Sequence, residues 1–98
     1  MKLTQRSFGE VLEALNENKS AKRAIWTSEF IYLVGESLVY PDQLRGNCKT
    51  HCSDLGTNLS GQIKITPHID QAKSYGIINC GWNPTIEDTL ATDWIIMD

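Results

Sequence analysis

The sequence is short of most features that announce a chemistry. It has only three cysteines, Cys48, Cys52 and Cys80. An odd number argues against a secreted disulfide framework. No apolar run approaches the length needed to cross a bilayer. Lys2 and Arg6 near the N-terminus are followed by no apolar signal core, so export is not expected. Positive charge is in deficit: 9 Lys and Arg stand against 12 Asp and Glu, a net charge of −3. No general attraction to a nucleic-acid polymer or a membrane follows from that balance. A bound anion would have to rely on locally placed Arg, Lys or backbone N–H groups. Also missing are a Gly-rich phosphate loop, a convincing nucleophile and a full metal-ligand set. Cys48, His51 and Cys52 lie close together, and Cys80 or His68 could add a fourth zinc ligand. Structural zinc, however, uses Cys pairs in two separate knuckles, and the second knuckle is missing. Reduced thiols are expected, with no metal and no other cofactor.

What is present fits one small domain over residues 1–98, with 41% apolar residues, the ordinary share for a globular chain. Ser7-Phe8-Gly9-Glu10 reads as a capping box. Phe8, Val11, Leu12 and Leu15 then mark one apolar helical face, and the helix should end near Asn18. Residues 21–25 read as a short strand or an extended turn. Phe30 to Val34 is a compact run of β-formers. Ser37 to Tyr40 continues after Gly35-Glu36, which predicts a hairpin with Gly35 at its turn. Residues 41–61 are rich in turn formers and read as a long loop of the kind that is functional or mobile. Gln62 to Thr66 alternates like a half-buried strand. Residues 76–81 predict another strand, reached by a turn near Lys73 to Tyr75. Residues 84–91 predict a second helix and Asp93 to Met97 a closing strand. No internal repeat, linker or low-complexity tract is found. The expected fold is α+β, a small antiparallel sheet with two helices packed against it.

The stretch from Gly81 to Trp94 is the densest in chemistry. Pro84 suits a helix entry, where its missing N–H costs nothing. Thr85 is a candidate N-cap, with Asp88 completing the box three residues on. Free N–H groups then lie beside the aromatic ring of Trp82, a place for a phosphate and a base. The alternative is that Trp82 and Trp94 are core and the acids only cap. Asp93 reads as structural, holding the turn before the last strand. Arg23 and Trp26 offer a two-pronged phosphate donor and a base-stacking ring, or else a local ion pair and a core residue. Phe30 and Tyr32 share one strand face and could wall a pocket. His68 and Asp70 are two apart, either a catalytic dyad or a structural hydrogen bond. Trp26, Phe30, Tyr32, Tyr40, Trp82 and Trp94 are many aromatics for one small core, so some should face a partner subunit.

Several of these words occur together in a known family. Gly-Trp followed by Pro-Thr-x-x-Asp-x-Leu-Ala-x-Asp-Trp resembles the C-terminal signature of the small phage-encoded Thoeris anti-defence proteins. The block Phe8-Gly-Glu-Val-Leu-Glu-Ala-Leu15 followed by Lys22-Arg23-Ala-Ile-Trp26 is similar to that family's opening helix and Arg-x-x-Trp step. Phe30-Ile-Tyr-Leu-Val34 is similar to the strand that follows, and Pro67-His68-Ile69-Asp70 to its central Pro-His-Ile-Asp motif. The stretch from Pro41 to Gln62 has no clear counterpart.

The resemblance implies a non-catalytic sponge that captures glycocyclic ADP-ribose isomers or related cyclic ADP-ribose signals, with cyclic dinucleotides or trinucleotides as further ligands. It implies a homo-oligomer, a tetramer built from dimers with pockets at subunit interfaces, acting in the cytoplasm of the infected bacterial host. The expected ligand-binding residues are Arg23, Trp26, Phe30, Tyr32, Trp82, Thr85 and Asp88, with no catalytic residue. Two rival functions remain open on the sequence: an enzyme degrading the same signal through His68 and Asp70, and a module that blocks a defence effector through exposed aromatics. For the thiols, titration under denaturing, non-reducing conditions is expected to count all three cysteines. Stoichiometric zinc whose chelation unfolds the protein would contradict this.

Overall fold

A computed structural model describes residues 6–52 and 54–98. The chain divides into two compact units, one holding the described residues up to Val34 together with His68–Asp98, the other Gly35–Pro67.

In the first unit, α1 spans Phe8–Asn16 and starts as the sequence predicts. The Ser7 hydroxyl accepts the Glu10 N–H at 3.3 Å, and the Glu10 carboxylate accepts the Ser7 N–H at 3.0 Å. Two N–H groups with no intrahelical partner are thereby satisfied. The helix stops where Asn18 turns left-handed at φ 66°. Strands β1 (Ser20–Arg23), β2 (Phe30–Val34), β5 (His68–Lys73), β6 (Ile77–Asn79) and β7 (Trp94–Met97) form one antiparallel sheet, ordered β6-β5-β2-β1-β7. The short helix α3 covers Ile86–Leu90.

The apolar face of α1 lies on the β1, β2 and β7 side of this sheet. Its Phe8, Val11 and Leu15 meet Ala21, Ile31 and Trp94 in one core. Trp94 is fully buried, and its indole N–H donates to the Asp88 carbonyl at 3.0 Å. A polar atom is thus taken into the core without losing a partner. Trp26 and Trp82 pack edge-on against it, with ring centroids 5.3 and 6.4 Å away.

The second unit has strands β3 (Ser37–Val39) and β4 (Ile63–Ile65), paired antiparallel, and helix α2 (Gly46–Cys52). Leu44 and Ile63 are its buried apolar residues.

Two expectations are corrected. Phe30–Val34 and Ser37–Tyr40 do not form a hairpin: β2 is flanked by β1 and β5, and β3 pairs with β4. Gly35 is not among the glycines with positive φ, the conformation that a tight hairpin turn demands. Residues 41–61 are not wholly loop, since α2 lies within them. That helix has no buried residue, so it carries no apolar periodicity to read. The stretch His68–Lys73, which the sequence assigned to no element, is a six-residue strand lying between β2 and β6.

Trp94→Ala is expected to destabilise the fold by about 3–5 kcal/mol, against a total of about 5–15 kcal/mol for a domain of this kind. Leu12→Ala, at a helix position 48% exposed, should cost far less. Urea unfolding of both variants checks the contrast.

Candidate functional site

Arg23 closes β1 directly opposite Trp94. A guanidinium there is only 6% exposed, and a buried cation is costly unless paired. Two acids from the far end of the chain meet it. Its Nε donates to Asp93 Oδ1 at 2.6 Å and its Nη1 to Asp88 Oδ1 at 2.8 Å. Nη2 makes a longer contact of 3.5 Å to Asp93 Oδ2. The cation also lies 5.9 Å from the Trp94 ring centroid, within reach of the ring's negative face. The hydrogen bond to Asp93 outweighs the burial and, with Asp88, raises the Arg23 pKa above its ordinary value.

Asp88 joins this ion cluster to a helix cap. Its Oδ2 accepts the Thr85 N–H at 3.0 Å, and the Thr85 hydroxyl accepts the Asp88 N–H at 3.1 Å. Burial pushes the Asp88 carboxyl upward, but the Thr85 N–H and the Arg23 guanidinium pull harder, and the net pKa is lowered. The predicted capping box is therefore present, and its acid also neutralises Arg23. Asp93, expected to hold a turn, holds the guanidinium as well.

Beside this cluster stand the tryptophans. Trp26 and Trp82 are half-buried, with ring centroids 6.0 Å apart and ring planes nearly perpendicular. Trp82 is set by its backbone: its N–H donates to the Ile69 carbonyl at 2.7 Å. The preceding Gly81 N–H donates to Asp70 Oδ1 at 3.0 Å. Gly81 has φ 75°, a left-handed conformation that a side chain would strain. Asp70 is buried, and His68 Nε2 lies 3.4 Å from its Oδ1. The His-Asp pair thus anchors the turn that presents Trp82.

The seven expected residues fall into two groups. Arg23, Trp26, Trp82, Thr85 and Asp88 gather around Trp94 and the start of α3. Phe30 and Tyr32, with ring centroids 6.1 Å apart, alternate with core residue Ile31 and so face the other side of the sheet. Two residues had been undervalued in the sequence, Asp93 as an Arg23 partner and Asp70 as the anchor for Gly81. Their signal was weak, because neither lies near its partner along the chain.

Two concavities of about 370 and 450 Å³ in the first unit are built from other residues. The smaller is lined mainly by Glu10, Glu13, Glu17 and Asp98 with Arg6 and Lys19. The larger is lined mainly by Leu12, Leu15, Leu33 and Ile69. Among the described residues, no group of three or more His, Cys, Asp or Glu could hold a metal ion. Cys48, Cys52 and Cys80 are unbridged. The Cys48 thiol is pushed up by desolvation and by Cys52 one turn away, the reverse of what an attacking thiolate needs. No helix among the described residues is long and apolar enough to cross a membrane.

Because the Asp88 pKa is lower folded than unfolded, the stability it adds is present above the ordinary carboxylate range. It is lost as pH falls through the lowered folded value. Asp88→Asn should therefore melt below wild type at neutral pH, and the gap should close on acidification. A gap unchanged in strong acid would refute the linkage. Arg23→Met leaves the buried Asp88 carboxylate and the half-buried Asp93 carboxylate side by side without their cation, and should cost up to about 3–5 kcal/mol at neutral pH.

The chain matches the Tad2-like family model, described as Thoeris anti-defense 2-like domain, over residues 6–97. No curated protein matches it. The matched span takes in α1, the Arg23 cluster and the closing strand, so the chain belongs to the Thoeris anti-defense 2-like domain family, and its role is the countering of Thoeris defence.

Proposed function

We propose that this chain counters Thoeris as a sponge. It binds a cyclic ADP-ribose-type signal, a glycocyclic ADP-ribose, and withholds it from its effector without degrading it. The observation that carries the reading is the pair of half-buried tryptophans, Trp26 and Trp82, packed on each other, with the exposed Thr85 three residues after Trp82 at the start of α3. Rings held by packing keep their stacking faces in place before a ligand arrives, which lowers the ordering cost of binding. Stacking on such a ring contributes about 1–3 kcal/mol per base. The Thr85 hydroxyl can meet a ribose or phosphate oxygen. Arg23 and Asp88 act one layer back: their strongest donors and acceptors are already engaged with each other, with Asp93 and with Thr85, and they hold the tryptophans and the cap in register. Phe30 and Tyr32, on the other sheet face, form a second contact surface, for a ligand or another subunit.

Non-catalytic action is supported by the engagement of Asp70, which accepts the Gly81 N–H and anchors a turn. Capture by mass action requires slow release and adequate copy number, not turnover. In this reading the working form is a homo-oligomer, a tetramer of paired dimers whose subunit interfaces enclose the ligand and exclude water, in the cytoplasm of the infected host. Cyclic dinucleotides and trinucleotides present the same bases and phosphates and are further ligands to assay.

The test is recovery. Protein is incubated with the signal, denatured by heat, and the supernatant analysed. Intact signal is expected; a changed product would mean catalysis. Trp26→Ala should weaken binding by about tenfold or more, equivalent to about 1.4 kcal/mol, while Trp26→Phe keeps most of it. A folded Trp26→Ala protein with wild-type affinity by isothermal titration would remove Trp26 from the site.

A further inference from the structure

Packing does not explain the cysteines of α2. Cysteine is among the residue types most often buried. Cys48 is nevertheless exposed and Cys52 half-buried, on a helix with no buried residue. Standing four apart, they share one helix face, with Cβ atoms about 5–6 Å apart. Neither is bridged, and the Cys48 thiol is hydrogen-bonded to Cys52. The helix that carries them is easily opened. It has seven residues, fewer than the roughly 12–15 that hold a helix on its own, and Cys52 is its last. The bonds that define its start, Lys49 N–H to the Arg45 carbonyl and Thr50 Oγ1 to the Gly46 carbonyl, both 3.2 Å, do not involve Cys52. Both cysteines belong to the second unit, whereas Cys80, the Arg23 cluster and the tryptophans belong to the first.

We propose that Cys48 and Cys52 are a reversible oxidation site, closed into a bridge by a low-molecular-weight disulfide such as glutathione disulfide, and that the last turn of α2 opens to admit the bridge. A disulfide holds its Cβ atoms about 3.8 Å apart, closer than one turn of helix sets them, so the bridge and a regular last turn exclude each other. The chemistry is two exchanges. One protein thiolate attacks a sulfur of the small disulfide, forms a mixed disulfide and expels one small thiolate. The second protein thiolate attacks the protein sulfur of that mixed disulfide and expels the other. Two protons leave the cysteines and end on the two small thiols, and two electrons pass from the protein sulfurs to the small disulfide. Desolvation, and then Cys52, push the Cys48 thiol up, so the exchange is slow at neutral pH and quickens as pH rises. Reversal is easy for two reasons. The chain between the cysteines is short, so the bridge removes little loop entropy. A strained, exposed disulfide is also the labile kind.

The experiment treats the full chain with glutathione disulfide, quenches in acid and reads intact mass and peptide cross-links. Hydrogen exchange of the His51 and Cys52 amides is followed on the same samples. The wild type should lose two hydrogens, yield a Cys48–Cys52 cross-link, and exchange those amides about tenfold faster or more. Excess dithiothreitol should reverse all three changes. Cys80→Ser should behave as wild type. Cys48→Ser and Cys52→Ser should each stop at a glutathione adduct on the remaining cysteine of α2, with reduced melting temperatures near wild type as the check on folding. Wild-type protein that keeps glutathione adducts without closing a bridge overturns the proposal. So does a bridge that uses Cys80 or joins two chains. A Cys48–Cys52 bridge with unchanged amide exchange overturns it as well, because the helix turn would then have survived closure.

Discussion

A guanidinium buried at the end of β1 has to be neutralised, and that requirement organises the first unit. Arg23 is nearly inaccessible, and its two acids come from positions 65 and 70 residues further on. Neither acid lies near Arg23 along the chain. Asp88 sits in the first turn of α3 and Asp93 immediately before β7, so one side chain ties the first strand to the closing helix and the closing strand. Leaving either carboxylate or the guanidinium alone in that setting costs more than the pair contributes beyond an apolar replacement. The cluster therefore specifies which segments meet more than it adds net stability.

Around this ion cluster the aromatic residues find their places. Trp94 covers the guanidinium on one side and donates its indole N–H to the carbonyl of the same Asp88 that binds it. Trp26 and Trp82 then rest edge-on against Trp94, in the arrangement that aligns a positive ring edge with a negative face. Their half-buried state follows from where they stand, at the margin of a core too small to enclose three indoles. A margin of that kind is suited to stacking, because each ring has one side fixed by packing and another open to water. Charge pairing, packing and the proposed ligand surface are thus one continuous construction. A change at Arg23 would reach the tryptophans without any contact between Arg23 and ligand.

The His68–Asp70 pair shows how local chemistry is redirected by context. Two residues apart on one strand face, they have the spacing of a dyad in the sequence. In the fold, Asp70 is buried and accepts the N–H of a glycine in left-handed conformation, the residue just before Trp82. A carboxylate used in this way fixes a turn. It contributes to the candidate site by aiming a ring.

By itself, the sequence determined what depends on neighbours along the chain. Both capping boxes, Ser7 with Glu10 and Thr85 with Asp88, were readable because a cap involves residues three apart. So was the apolar face of α1, since helical periodicity is written in its own residues, and so was the β-rich run of β2. The family words lay in these same segments. The tertiary structure alone decided what depends on partners far along the chain. It gave Arg23 its two distant carboxylates, and it set β2 between β1 and β5 and not in a hairpin with β3. It made α2 a helix with no buried side to betray it, and it separated Phe30 and Tyr32 from the tryptophans by the thickness of a sheet. Strand pairing and buried ion pairing join residues whose separation in sequence carries no signal, because their energy is realised only once the intervening chain has folded.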